Sequence, residues 1–357
     1  MVTLIFKKFL QGFSILFGVL TIVFFLFKIL PADPARMMLD KREDAEQLEL
    51  INQKYGFNKP LSLQYLSYVN DFSFISIYSL NKNSFISIHN KEISYFKFFT
   101  ISSYILVVKL PDLGKSFIKQ EKSVFSIIIS TFKNTFILAT SSILIALVLG
   151  IIMGIISAIN KDNIIDKSVL FFSALGMSLP SFFSAILIAW FFGFVLHQYT
   201  NLQMTGSLFE IDDYGMGYHL KIKNLILPSI TLGIRPLSVI TQLSRNSLLD
   251  VLNMDYIRTA KAKGLKFSKV LFKHALMNSL NPVLTAVSGW FASLLAGAVF
   301  VEYVFGWNGL GKEIVNALNT MDFPVVIGSV LFISTLFIII NLLVDLVYIW
   351  LDPRIKT

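Results

Sequence analysis

Residues 255–265 read Asp255-Tyr256-Ile257-Arg258-Thr259-Ala260-Lys261-Ala262-Lys263-Gly264-Leu265. Asp255 suits the start of a helix, where a carboxylate meets the positive end of the helix dipole. Ala260 and Ala262 are small and favour helix, and Gly264 is placed to close it with a left-handed cap. Beyond the glycine, Phe267, Leu271, Ala275 and Asn278 recur at helical spacing up to Asn281-Pro282. The pattern predicts a short, basic, small-residue helix that projects, turns at Gly264 and returns through a second helix. Such a shape suits a lever seated in a groove of a partner protein: small residues permit close approach, and the turn fixes the direction of force. An ordinary basic loop beside a membrane fits the same residues equally well.

The flanking sequence makes the membrane the solvent. Of 357 residues 55% are hydrophobic and only 15% charged, where a soluble domain carries about a quarter; mean hydropathy is +0.68. A membrane helix needs about 20 mostly apolar residues. Five runs meet this without Asp, Glu, Lys or Arg: Phe9–Phe27, Asn134–Ile159, Ser168–Leu196, Ser279–Val301 and Phe323–Val344. A sixth, Leu225–Leu249, is interrupted by Arg235 and Arg245. The first run passes into Lys28-Ile29-Leu30-Pro31-Ala32-Asp33 without a small-x-small cleavage signal, so it is expected to be a retained anchor.

Basic residues give the orientation. Lys7 and Lys8 precede span one, Lys161 and Lys167 separate spans two and three, and Arg354 and Lys356 follow span six. Residues 250–274 carry Arg258, Lys261, Lys263, Lys266, Lys269 and Lys273 against only Asp250 and Asp255. With six spans all four stretches share one side, which the positive-inside rule makes cytoplasmic, both termini included. The chain then divides into 1–30 (the cytoplasmic end and span one), an external segment 31–123, and a five-helix core 124–357 with a cytoplasmic loop 250–278. The external segment opens with a charged, helix-prone stretch, Asp40–Lys54. It becomes Phe/Ser/Ile/Tyr-rich over Phe72–Ser87 and Tyr95–Val108, which predicts short strands. Ile101–Leu110 is too short to cross a membrane. A net charge of +9 is here a membrane-surface feature rather than a nucleic-acid one, since no recognised DNA-binding motif accompanies it.

Residues 255–265 resemble, throughout their length, the D-Y-x-R-T-A-x-A-K-G-L form of the signature cytoplasmic loop in bacterial ABC-importer permeases of the dipeptide/oligopeptide (and nickel) branch. Thr259-Ala260-Lys261 stands at the family's Glu-Ala-Ala core, and its glycine is Gly264. Pro31-Ala32-Asp33-Pro34 is similar to P-G-D-P, and Gly56-Phe57-Asn58-Lys59-Pro60-Leu61 with Gln64-Tyr65-Leu66 to G-L-D-x-P-L and Q-Y. Asp112-Leu113-Gly114-Lys115-Ser116 is similar to D-L-G-x-S, and Met321-Asp322-Phe323-Pro324 to x-D-x-P. Glu302-Tyr303-Val304-Phe305-Gly306-Trp307-Asn308-Gly309-Leu310-Gly311 is similar to E-x-V-F-x-x-P-G-L-G, with Asn308 in place of proline. Residues 70–108 depart from the family as an insertion, so no external-domain function is carried over to them. The resemblance implies an all-α polytopic fold of six transmembrane helices, a type I importer permease, with a small mixed external domain. It implies a binding-protein-dependent transport subunit forming half of a path for peptides or peptide-like solutes, with nickel complexes or glutathione as alternative cargo. The implied partners are two ATPase subunits, a second homologous permease (a heterodimer being assumed) and an external binding protein. Asp255, Tyr256, Arg258, Thr259, Ala260, Lys261, Ala262, Lys263 and Gly264 would form the coupling helix. No cofactor is expected on this chain, ATP and Mg²⁺ belonging to the ATPase subunits, and the chain itself is not expected to be an enzyme.

The remaining features are weighed against blander readings. Gly114-Lys115-Ser116 mimics the end of a phosphate loop, but the glycine required at position 109 is Lys109, so a turn before span two is expected. The chain has no cysteine. His89, His197, His219 and His274 lack metal-ligand spacing, so no metal site is expected. Arg235 is costly against lipid; it lines the pathway or pairs with a neighbouring chain. Arg245 is expected at the cytoplasmic end of span four, reaching headgroups. Pro180 and Pro236 are expected to kink their spans, for gating or for packing. Glu302 and Asp345 are expected at the interface. A self-contained secondary transporter or channel would instead need ionisable groups in mid-span, with or without internal repeats. An intramembrane enzyme would need paired catalytic side chains, and a bare membrane anchor leaves residues 255–265 unexplained.

Overall fold

A computed structural model describes residues 2–29, 45–82, 84–91, 93–119, 122–211 and 217–351. Pro31-Ala32-Asp33-Pro34, Arg354, Lys356 and the side chains of Lys7 and Asp345 lie outside what is described. Each of the six apolar runs is helical. Helix α1 spans Val2–Ile29, with its apolar part at Leu10–Leu26. Among the described residues three helices are long and apolar enough to cross a membrane unaided: Val124–Ile159, Lys223–Leu252 and Phe323–Val344. Two further spans are bent pairs, Ile164–Ser178 with Ser181–Val195 at 110°, and Phe267–Ser279 with Asn281–Gly297 at 49°.

The first bent pair breaks at Pro180, where a kink is expected, and the bend is 110°. Proline offers no N–H and drives the residue before it out of the α region. Leu179 (ψ 132°) and Pro180 (ψ 139°) are both extended. The chain closes one helix with Leu179 N–H on the Leu175 carbonyl and opens another at Ser181. Pro236 behaves differently, because the helix Lys223–Leu252 runs on through both Pro228 and Pro236.

The chain divides into two compact units. The first comprises residues 131–315 and 335–357. Helices α4 (Val124–Ile159), α5 (Ile164–Ser178), α6 (Ser181–Trp190, continued by a π turn over Phe191–Val195) and α7 (Lys223–Leu252) enter it in sequence. Its apolar centre gathers Leu138 and Ile143 of α4, Ala185 and Ala189 of α6, Leu227 and Leu232 of α7, with Phe305 and Trp307. Small residues let these helices meet closely, since lipid supplies no hydrophobic drive between them. A Cβ placed on Gly154 of α4 would stand 2.5 Å from Ser244 Cβ and 2.9 Å from the Thr241 carbonyl of α7. Gly150 one turn earlier is equally tight against Ile240. This Gly150-x-x-x-Gly154 pair is a packing signal the sequence reading passed over.

The second unit comprises residues 2–130 and 316–334. After α2 (Ala45–Tyr55), helix α3 (Leu61–Phe72) leans on α1. The Thr21 and Tyr65 hydroxyls share a hydrogen bond of 2.7 Å, and the Phe24 ring lies 5.3 Å from Tyr65 and 5.5 Å from Tyr68. The strands expected at 72–87 and 95–108 are present as β1 (Ile75–Ser79), β2 (Tyr95–Ile101) and β3 (Tyr104–Lys109), an antiparallel sheet in the order β1-β3-β2. Asp71, at the end of α3, ties the sheet down. Its carboxylate accepts from the Tyr78 hydroxyl at 2.9 Å and from Lys91 at 2.7 Å, and Lys91 also faces Asp112 at 3.5 Å. Burial works against the Lys91 charge, but the two carboxylates outweigh it and raise its pKa. Lys109 donates to the Asp71 carbonyl, and burial lowers its pKa.

The phosphate-loop mimic is a turn. Gly114 is left-handed (φ +74°), and Ser116 is 3% exposed and donates its hydroxyl to Asp322, which also accepts Phe117 N–H at 3.0 Å. Two of the short motifs, at 112–116 and 321–324, are thus halves of one contact.

Candidate coupling site

The helix predicted at 255–262 is present as α8, Asp255–Ala262. Asp255 sits in its first turn, Lys261 in its last, and Gly264 follows at φ +75° with its N–H on the Lys261 carbonyl. A left-handed residue here costs glycine nothing and any side chain something. The return helix Phe267–Ser279 (α9) contains a π turn over Val270–Ala275 before the bend into α10, Asn281–Gly297.

Helix α8 has an inner and an outer side. Ile257 (0% exposed) and Ala260 (8%) face inward onto Val270, Leu271 and Ala275 of the return helix and Leu248 and Val251 of α7. Asn278 also donates to the Tyr256 hydroxyl at 3.1 Å. Asp255, Tyr256, Arg258, Thr259, Lys261, Ala262, Lys263 and Gly264 are exposed. Ala260 therefore uses its smallness within the chain, letting α8 lie close on α9, rather than at the outer surface. Arg258 meets Asp255 at 3.3 Å with both side chains largely exposed, a pair worth little in water.

Beneath this platform lies a contact absent from the sequence reading. Arg245 was expected among headgroups; it is instead turned inward onto Asp166. Its Nε and a terminal nitrogen meet the Asp166 carboxylate at 2.7 and 2.6 Å, and the Asp166 side chain is 2% exposed. Asp166 also accepts the Ser157 hydroxyl and the Asp162 N–H. A bidentate pair with every acceptor site used meets the conditions under which a buried charge is tolerated. It joins the ends of α4, α5 and α7 where α8 is seated.

Glu302, expected near a span end, is fully buried within the protein. Helix α11 (Val299–Phe305) ends at left-handed Gly306, and α12 begins at Leu310. Between them Trp307 is fully buried, its indole N–H on the Asn134 carbonyl at 3.1 Å. The Glu302 carboxylate accepts the Gly311 and Lys312 N–H groups at 2.7 and 3.1 Å, the positive end of α12. Gly309 leaves it room, since a Cβ there would stand 2.4 Å from the carboxylate. Burial still dominates and lifts the Glu302 pKa from an ordinary 4.5 to about 7.

The pathway candidates are not gathered in one place. Pro180 sits at the 110° break and is exposed, Pro236 is buried within α7, and Arg235 next to it is exposed in the isolated chain. The two arginines of α7 thus part company, Arg245 inward and Arg235 outward.

Residues 146–357 match the family model described as the binding-protein-dependent transport system inner membrane component, and residues 1–82 match the model of its N-terminal region. A dipeptide transport system permease protein of Alkalihalophilus pseudofirmus is 30% identical, over 98% of this chain and 98% of its own. A dipeptide transport system permease protein of Haemophilus influenzae is 39% identical over 71% of this chain and 79% of its own. A solved methionine ABC transporter in an inward-facing conformation superposes with a TM-score of 0.47 at 15% identity, over 62% of this chain and 95% of that one, too loose a likeness to add to the family match. A multi-pass chain with a basic helix seated on α7 and α9 and exposed on its other side, which matches that family over more than half its length, belongs to the inner membrane components of binding-protein-dependent transport systems.

Proposed function

We propose that the chain forms half of the translocation path of an ATP-driven importer for peptides or peptide-like solutes. The cargo class rests on the dipeptide permeases it resembles over nearly its whole length. In this reading it acts with two ATPase subunits, a second homologous permease and an external binding protein, both termini lie in the cytoplasm, and ATP and Mg²⁺ are held by the ATPases rather than by this chain. Arg235, Pro236 and Pro180 are the pathway and gating candidates.

The observation that carries the reading is the two-sidedness of α8. Ile257 and Ala260 are fixed against α7 and α9, while Tyr256, Thr259, Ala262 and Lys263 are left outward. A push on the outer side is delivered through the inner side into α7 and the bent pair that follows. That makes α8 a two-state element which ATPase closure and delivered substrate both bias.

Gly264→Pro tests it, because proline cannot adopt φ +75°. Ala260→Leu lifts the helix off α9. Both variants are expected to remain in the membrane with ATP hydrolysis retained, while uptake falls by roughly tenfold or more, the scale of a coupling free energy of about 1–3 kcal/mol. Normal peptide uptake in both would remove the coupling assignment. Peptides that fail to compete for uptake by the intact system would remove the cargo assignment alone.

A further inference from the structure

The external sheet has one face that carries no charged side chain and is mostly apolar. Cross-strand partners share a face and alternate residues along a strand do likewise. Ile75, Val108 and Phe96 form one row across the three strands, Ile77, Leu106 and Phe99 the next, and Ser79, Tyr104 and Ile101 the third. Phe96 is 72% exposed, Ile75 64% and Phe99 57%. Lys97 and Lys109 pair with Val107 and Tyr95 in the alternate rows, so no charged side chain belongs to this face. The opposite face is the one that packs, through Tyr78, Ile105 and Val107. A continuous uncharged patch of this kind marks a surface that is covered in use.

Its place in the chain says by what. Tyr65 and Tyr68 of α3 rest on Thr21 and Phe24, inside the apolar stretch Leu10–Leu26 of α1. Asp71, which holds the sheet through Tyr78, lies three residues beyond Tyr68, about 5 Å along a helix. The headgroup layer on either side of the hydrocarbon is roughly 5–8 Å thick. The sheet is thus tethered within the depth of that layer. Leu63 and Leu66 on the same α3 are also exposed and uncharged, continuing the apolar surface from the lipid-facing span towards the sheet. Strand β2 is an edge, whose free N–H and C=O groups need water or headgroups and forbid deeper immersion.

We propose that this face rests on the membrane, its Phe and Ile side chains in the boundary between headgroups and acyl chains, so that residues 70–108 form a lipid-anchored foot rather than a receptor for a soluble protein. Aromatic side chains favour that boundary.

The chain contains no cysteine, so each introduced cysteine is the single site on it, and the same complex with the unaltered chain gives the background from its partners. Phe96→Cys, Ile101→Cys, Lys82→Cys and Phe17→Cys would each carry a bimane probe. Each full chain, with its co-purifying subunits, is placed in nanodiscs of phosphatidylethanolamine and phosphatidylglycerol. Phe17 of span one is the lipid reference and exposed Lys82 the aqueous one. Labels at 96 and 101 are expected to be quenched by brominated lipid at least about twofold more than by iodide, as for an apolar face buried some 5–10 Å into the boundary, with the ratio reversed at 82. Iodide quenching at 96 and 101 equal to that at 82 would leave the face in water and overturn the proposal. Protection from both quenchers would overturn it too, by showing that a protein surface covers the face.

Discussion

Glu302 carries the clearest pH signature in the molecule. A carboxyl whose pKa rises from 4.5 unfolded to about 7 folded holds its proton in the native state while the unfolded chain has lost it. Its contribution is fully present below about pH 4.5 and is lost as pH rises through about 7, a span worth roughly 3 kcal/mol. Thermal midpoints in detergent should therefore fall between pH 5 and 7.5, and Glu302→Gln, which keeps shape and acceptor without the charge, should flatten that slope. An unchanged slope in the variant would mean the residue is charged and satisfied at every pH. Arg245 and Asp166 behave as a couple. Arg245→Met leaves the buried Asp166 unpaired and should cost about 3–5 kcal/mol, whereas adding Asp166→Leu should restore most of it; denaturation of the single and double variants decides. Neither residue's setting was legible in the sequence. A lone arginine near a span end reads as a snorkel, and its partner stands 79 positions away. For Glu302 the signal was present in Gly309 and Gly311, two residues without side chains opposite a carboxylate.

Elements fixed by neighbouring residues were legible; those set by distant contacts were not. Asp255, two alanines and Gly264 specify a capped helix within ten positions, and that helix and its left-handed glycine are where the spacing put them. Pro180 announced a disturbance, but the 110° angle depends on what each arm rests upon. Helix α3 carries Leu61, Tyr65, Tyr68 and Phe72 at helical spacing, a period masked by the Pro60-Leu61 and Gln64-Tyr65 motif residues it overlaps. The approach of α4 to α7 belongs at this scale too. Gly154→Leu drives a side chain into Ser244 and the Thr241 carbonyl and should destabilise by about 3 kcal/mol, the upper end of overpacking, seen as early aggregation in size-exclusion chromatography; Gly18→Leu, where a Cβ meets nothing, should be silent.

At the scale of the whole molecule, hydropathy marked runs that are all helical, three of them long enough to cross a bilayer unaided and two more as bent pairs. It could not tell a straight span from a folded one, because both bury the same residues. Sidedness came from the lysines and arginines alone and stands as a prediction: a reporter fused near Lys263 should register the cytoplasm and one near Lys82 the exterior. The opposite result would invert the assignment of α8 to an ATPase.

The bent pair 164–195 has a mechanical consequence. Its two arms hold fifteen residues each, one helix of fifteen and one of ten continued by five, so each is about 22 Å long. Set nearly at right angles, they form a crank: a twist of only about 10° in the first arm about its own axis sweeps the tip of the second through about 4 Å. The handle of that crank is Asp166, gripped by Arg245 within a turn of Leu248, against which α8 is seated.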